Sequence, residues 1–140
     1  NDANAAALGE KWGGEGRDVD SLCMVTLGTG IGGGLILDGR IWHGQEGMAG
    51  ELGHMTIDPN GALCGCGNLG CIEAYASASA ISRMAMAAIR VGRSPELARE
   101  AEQLGELTAE IVYIKAKQGD VVALEIFEMV GRTLGVAIAT

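Results

Sequence analysis

One histidine and three cysteines, set close together, constrain this chain more than any other feature. The stretch from Gly53 to Glu73 reads GHMTIDPNGALCGCGNLGCIE and places His54, Cys64, Cys66 and Cys71 in the spacing H-x9-C-x-C-x4-C. Zinc in a structural site takes four nitrogen or sulfur ligands in a tetrahedron, and three thiolates with one imidazole form a standard set. Gly65, Gly67 and Gly70 lie between the thiols, and wrapping a chain round one ion demands turns that glycine makes at low cost. A competing reading pairs the thiols as disulfides with Cys23 as the fourth cysteine, and a third leaves them free. Cys64 and Cys66 are too close in sequence to bridge each other comfortably. Cys23 sits in an apolar, strand-like run that reads as core. Zinc is the reading preferred.

At 140 residues, 48% of them hydrophobic, the chain fits one domain with a real core. No apolar run is long enough to span a bilayer, and no signal-peptide pattern opens it. Thiols held for a metal argue for a reducing, cytoplasmic setting. A net charge of −8, with no basic cluster, disfavours nucleic acid as a partner of this segment. An anionic ligand would have to bind through backbone donors and a cation such as Mg2+. The chain opens on Asn1 and stops within an apolar, helix-like pattern from Gly131 to Thr140, so it reads as a piece of a longer protein. The glycines concentrate before residue 71, which predicts turns and close backbone approaches in the first half.

In chain order, Asn1 or Asp2 would cap a helix that begins in an alanine run. Gly13 to Asp20 is a polar loop. Ser21–Leu27 and Leu35–Leu37 read as strands of a hairpin, with Gly28-Thr29-Gly30-Ile31-Gly32-Gly33-Gly34 as its glycine-rich turn. Amides in such a turn can face an anion, although a flexible turn without a ligand has the same composition. No helix and no Lys-Ser/Thr follows, so neither a dinucleotide fingerprint nor a Walker A loop fits. Asp38-Gly39 turns the chain into a short strand, Arg40–Trp42. Glu51 and His54, three apart, share a face in a helical turn, whereas His43 reads as a loop residue. A His bound to zinc through one ring nitrogen keeps the other for a substrate hydroxyl.

Beyond Cys71 a helix starts near Ile72, with Glu73 in its first turn, where its acidic charge also suits the helix dipole. Ala80–Val91, Ser94 to Leu104, Thr108–Gln118 and Val121 to the end read as further helices, the last capped by Asp120. Met84, Met86, Phe127 and Met129 at helical spacing read as core filler.

These motifs together resemble the repressor–open reading frame–kinase (ROK) family of sugar kinases and sugar-responsive repressors. The likeness covers Asn1 to about Ser79. It rests on Leu27-Gly28-Thr29-Gly30-Ile31-Gly32-Gly33-Gly34-Leu35, on Gly44, on Gly50-Glu51-Leu52-Gly53-His54, on the zinc spacing and on the Asn1-Asp2-Ala3-Asn4 opening. The resemblance implies an α/β fold, an actin/hexokinase-like (ribonuclease H-like) fragment with a zinc-bearing loop and a helical flank. It implies one partial domain over residues 1–140, part of the C-terminal lobe, without the N-terminal lobe and adenosine site.

It further implies ATP-dependent phosphorylation of a hexose, of glucokinase type, with ATP and Mg2+ as co-substrate. Asp2 would be the general base, and Asn1, Glu51, His54 and Glu73 would hold the sugar. Gly28, Thr29 and Gly30 would form a phosphate loop, and His54, Cys64, Cys66 and Cys71 would hold a structural zinc. A hexose or N-acylated hexosamine, ATP and a second copy of the chain are the implied partners, and nucleic acid only if the parent is a repressor. The alternative is the sugar-sensing domain of such a repressor. The intact Gly28-Thr29-Gly30 loop favours the kinase, because a sensor has no need to cradle phosphate. Lacking two parts of the kinase, this segment alone is expected to turn over little.

Overall fold

The computed structural model describes residues 1–139; Thr140, the end of the last predicted helix, lies outside them. Asn1 caps α1 (Asp2–Gly13), its Oδ1 accepting from the N–H of Ala3 at 2.9 Å and of Asn4 at 3.3 Å. Of the two residues competent to cap, Asn1 takes the position. Asp2 is left in the first turn, where Oδ1 accepts from the Ala3 N–H at 2.8 Å and Oδ2 has no partner among the described residues.

Two strands follow, β1 (Leu22–Leu27) and β2 (Ile31–Leu37), antiparallel and in register with Leu27 opposite Ile31. A short β3 (Arg40–Ile41) pairs with the far edge of β2, giving the order β1-β2-β3. The turn is tighter than the glycine run predicts: Gly28–Gly30 form it, while Gly32, Gly33 and Gly34 belong to β2. Their bare backbone serves packing. A Cβ on Gly34 would stand 2.7 Å from the Ala7 Cβ and 2.9 Å from the Ala3 carbonyl. The alanines of α1, Ala3 and Ala7, are buried directly on that glycine surface. Small residues on both sides bring the helix close enough to the sheet for Asp2 to reach the hairpin turn.

Cys23 corrects the sequence reading. In β1 the alternate residues Cys23, Val25 and Leu27 are exposed, because α1 covers the opposite face of the sheet. Alternation identifies two faces of a strand without saying which one a helix will cover. Cys23, Val25 and Leu27 line an apolar groove of about 480 Å³ with Leu134, Ala137 and Ile138 of the last helix.

After β3 the chain passes through a loop to a single 3-10 turn, Leu52–His54, and then into the cysteine-bearing loop. That loop is drawn together by bridges between Thr56 and Cys71 and between Leu63 and Leu69. Gly70 is essential to it: φ is 67°, and a side chain there would run into the Asp58 carbonyl.

The helical flank begins with α2 (Glu73–Ala76), stops at an extended Ser77, and restarts as α3 (Ala78–Arg90). Ser77 causes the break, since its Oγ caps α3 by accepting from the Ala80 N–H at 3.1 Å. Ser94, Thr108 and Asp120 cap α4 (Pro95–Leu104), α5 (Ala109–Lys117) and α6 (Val121–Ala139) in the same way. The core joins Ile31 and Ile72 to Ile81, Leu97, Val112, Ala123 and Ile126, with Met84, Met86 and Phe127 packed against it. Met129 departs from its expected place as core filler. It is 45% exposed and lines an open groove between α3 and α6.

Candidate functional site

The first turn of α1, the β1–β2 turn, the 3-10 turn and the start of α2 meet around one polar cleft of about 420 Å³. Asp2, Gly28, Thr29, Gly30, Glu51, His54 and Glu73 all line it. These come from four separate sequence segments, and each was singled out from the sequence. Asn1 is the exception. Its Oδ1 is engaged in capping α1 and it does not line the cleft, so only its amide NH2 remains to offer a ligand. The larger apolar groove beside β1 holds no acid, base or loop amide and carries no comparable chemistry.

The 3-10 turn accounts for Glu51 and His54. The His54 N–H donates to the Glu51 carbonyl at 3.1 Å, and residues three apart in such a turn eclipse one another. Gly53 lets this turn press onto β2, since a Cβ there would collide with the Ile31 carbonyl. An imidazole and a carboxylate therefore sit side by side, which suits hydroxyls, groups that both donate and accept.

Glu73 does more than complement a helix dipole. Its Oε2 accepts from the Ile31 N–H at 2.8 Å, and its Oε1 lies 3.9 Å from Cys64 Sγ. One carboxylate thus joins the end of the glycine turn to the cysteine loop. In the turn itself, the Gly28 N–H donates to the Gly30 carbonyl at 3.0 Å. The N–H groups of Thr29 and Gly30 have no partner among the described residues, leaving two donors beside the acids.

Against the back of the cleft, His54, Cys64, Cys66 and Cys71 bring one ligand atom each to within 4.8 Å of one another. His54 Nδ1 stands 3.7 Å from Cys64 Sγ, and Cys66 Sγ stands 3.7 Å from Cys71 Sγ. A zinc–sulfur bond of about 2.3 Å in a tetrahedron puts neighbouring sulfurs about 3.8 Å apart, so the four fit a zinc ion. With Nδ1 turned to the thiols, Nε2 is the nitrogen left for the cleft. His43, an exposed loop residue, and Cys23, exposed in β1, both lie outside the cluster.

The thiols differ in their ionisation. The Asn68 backbone N–H beside Cys66 lowers its pKa, against a smaller opposing effect of desolvation. Burial pushes Cys71 up to about 12, reinforced by the neighbouring Cys66 and Cys64. A cation among them would reverse that, since a coordinated thiol gives up its proton.

Sequence reasoning missed the residues holding the turn from outside. Ser79 Oγ donates to the Thr29 carbonyl at 2.8 Å, and the Ala78 N–H donates to the Gly28 carbonyl at 2.9 Å. Their only advance signal was the serine pair Ser77 and Ser79 at a helix start.

A family model described as the ROK family matches residues 1–140. A glucokinase of Halalkalibacterium halodurans is 45% identical over 140 residues, covering 99% of this chain and 42% of that protein. A xylose repressor of Caldicellulosiruptor bescii is 36% identical over 139 residues, covering 99% of this chain and 35% of the repressor. Among solved structures, a ROK family glucokinase from Streptomyces griseus in complex with glucose and AMPPNP superposes with a TM-score of 0.82 at 40% identity. It covers 99% of this chain and 46% of the glucokinase. The chain therefore spans less than half the length of each.

Proposed function

Since this chain belongs to the ROK family and has the α/β fold of its hexokinases and glucokinases, we propose that it is the catalytic and sugar-binding part of an ATP-dependent hexose kinase. The observation that carries the reading is the gathering of Asp2, Glu51, His54, Glu73 and the Gly28-Thr29-Gly30 turn around one cleft. Phosphoryl transfer asks a protein for position and charge stabilisation more than for covalent chemistry.

Asp2 takes the proton from the sugar hydroxyl as that oxygen attacks the γ-phosphate of ATP, brought with its Mg2+. Its free Oδ2 is the atom for the task. Glu51, Glu73 and the Nε2 side of His54 bind the other hydroxyls, with the Asn1 amide at the rim. The unpaired amides of Thr29 and Gly30 receive phosphate oxygens. Zinc held by His54, Cys64, Cys66 and Cys71 supplies no step of the reaction, its part being to fix the His54 ring. A reducing cytoplasm would keep those thiols available.

A second reading is the sugar-sensing domain of a ROK repressor, supported by the xylose repressor matched over the same span. Two free amides in the turn beside an acid favour the kinase, since a sensor of neutral sugar needs no phosphate donors. The decisive experiment is a panel of hexoses and N-acylated hexosamines with ATP, run on the intact protein. Sugar phosphate formation supports the kinase. Tight sugar binding without any transfer, together with sugar-dependent DNA binding, would replace it by the repressor.

A further inference from the structure

The Gly28–Gly30 turn is too short and too poor in side chains to hold its own shape. Only one hydrogen bond lies within it, from the Gly28 N–H to the Gly30 carbonyl at 3.0 Å. Its other anchors come from a distant segment of the chain. The Ile31 N–H, at its exit, donates to Glu73 Oε2 at 2.8 Å. The carbonyl of Gly28 accepts from the Ala78 N–H at 2.9 Å, and the carbonyl of Thr29 accepts from Ser79 Oγ at 2.8 Å.

A peptide plane whose carbonyl is pinned on one side must present the next residue's N–H on the other. Fixing the Gly28 and Thr29 carbonyls against α3 therefore sets the directions of the Thr29 and Gly30 amides. Those are the two donors that remain without partners among the described residues.

We propose that Ser79 is a positioning residue of the phosphate turn, its hydroxyl on the Thr29 carbonyl aiming the Gly30 amide at a phosphate oxygen of the nucleotide. The inference rests on the kinase reading and extends it to a residue outside the cleft. Ser79 lies behind the turn and does not line the cleft beside Asp2. The bond its hydroxyl makes is to the Thr29 carbonyl, and through that bond it acts on the turn.

The bond depends on how the chain is broken just ahead. If α2 ran on into α3, the hydroxyl would point along a continuous helix. The extended Ser77 turns the axis and places the second residue of α3 beneath the Thr29 carbonyl. Gly30 has its own part in the fit, since a Cβ there would come 2.5 Å from Glu73 Oε2 and displace the carboxylate that holds Ile31. The turn is thus held at its exit by Glu73 and at its middle by Ser79.

The test compares wild type, Ser79→Ala and Ser79→Thr in the intact protein by two measurements. Steady-state kinetics should show KM for ATP raised or kcat lowered about three- to tenfold in Ser79→Ala, the net worth of one hydrogen bond. The sugar KM should stay within about twofold, and the threonine variant should recover most of the loss because it keeps the hydroxyl. Amide hydrogen exchange without ligand should quicken at Gly28 and Ile31, the hydrogen-bonded amides at the two ends of the turn, in Ser79→Ala while the cysteine loop and α4–α6 are unchanged. A loop that exchanges as in wild type, or an active enzyme whose ATP kinetics ignore the alanine, overturns the proposal. Wild type that phosphorylates no sugar removes the kinase reading, and the exchange measurement then still decides whether Ser79 orients the turn.

Discussion

The backbone N–H of Ile31 and Oε2 of Glu73 are joined by a 2.8 Å hydrogen bond across a separation of 42 residues. It ties the strand leaving the glycine turn to the helix leaving the cysteine loop, and it is charge-assisted. Removing the carboxylate leaves a partly buried N–H without a partner. Glu73→Ala is therefore expected to lower unfolding stability by about 1–3 kcal/mol, read by urea denaturation. Glu73→Gln keeps an acceptor and should lose less, while still weakening sugar binding through loss of charge. Equal stability of the alanine variant and wild type would show the bond to be incidental.

Asp2→Asn separates a base from a helix residue. Asn1 already caps α1, so the change leaves the cap in place and stability should stay within about 0.5 kcal/mol. General-base removal lowers kcat by about 10²–10⁴ while sugar binding by calorimetry persists. An enzyme that keeps more than a tenth of its turnover would exclude Asp2 as the base.

Sequence alone resolved the local parts of this site and left its long-range joints unread. The cysteine cluster was legible because its four candidate ligands, His54 at the end of the 3-10 turn and three cysteines in the loop that follows, lie close together in sequence, where spacing nearly dictates proximity. The Glu51–His54 turn was legible for the same reason. Gly32–Gly34 were misassigned to the turn because glycine reports absence of a side chain without its motive, which here is the approach of Ala3 and Ala7 to Gly32 and Gly34 and of Gly50 and Leu52 to Gly33. Cys23 and Met129 were misplaced because periodicity names a face and not what covers it. The Glu73–Ile31 and Ser79–Thr29 bonds depend on the break at Ser77 and on tertiary placement, and no pattern of residues announces either.

Cys66→Ser removes one ligand of the set, and metal analysis of the purified variant should find zinc lost or far below one equivalent. His54, released from its partners, should then bind sugar more weakly, and chelator treatment of wild type should reproduce the effect. Full sugar affinity in a zinc-free protein would detach the metal from the site.

Cys71 sets the pH dependence. Its folded pKa without metal, about 12, lies above the ordinary 9.0. Whatever stability this thiol lends the metal-free fold is thus complete below pH 9 and is lost as pH climbs through about 12, because the unfolded chain gives up the proton first. Zinc inverts the preference, since it binds the thiolate and must expel that proton. Apparent zinc affinity should therefore rise from pH 6 to pH 8, with protons released on titration in weak buffer. Affinity independent of pH over that range would mean the thiols are not the ligands.

Gly53→Ala tests how the site is seated. The added methyl meets the Ile31 carbonyl, a backbone atom that cannot swing away. Either the 3-10 turn lifts from β2 or β2 bends, and both displace Glu51 and His54 relative to Asp2. Overpacking of this kind costs about 1–3 kcal/mol, and a shift near 1 Å at reacting groups lowers turnover by about 10²-fold. Zinc content should be kept, because the three cysteines lie in a separate loop and His54 can follow the metal. Loss of activity with zinc retained would assign the defect to the seating of the 3-10 turn, whereas normal turnover would mean the sheet yields at little cost and the close approach at Gly53 is not what aligns the site.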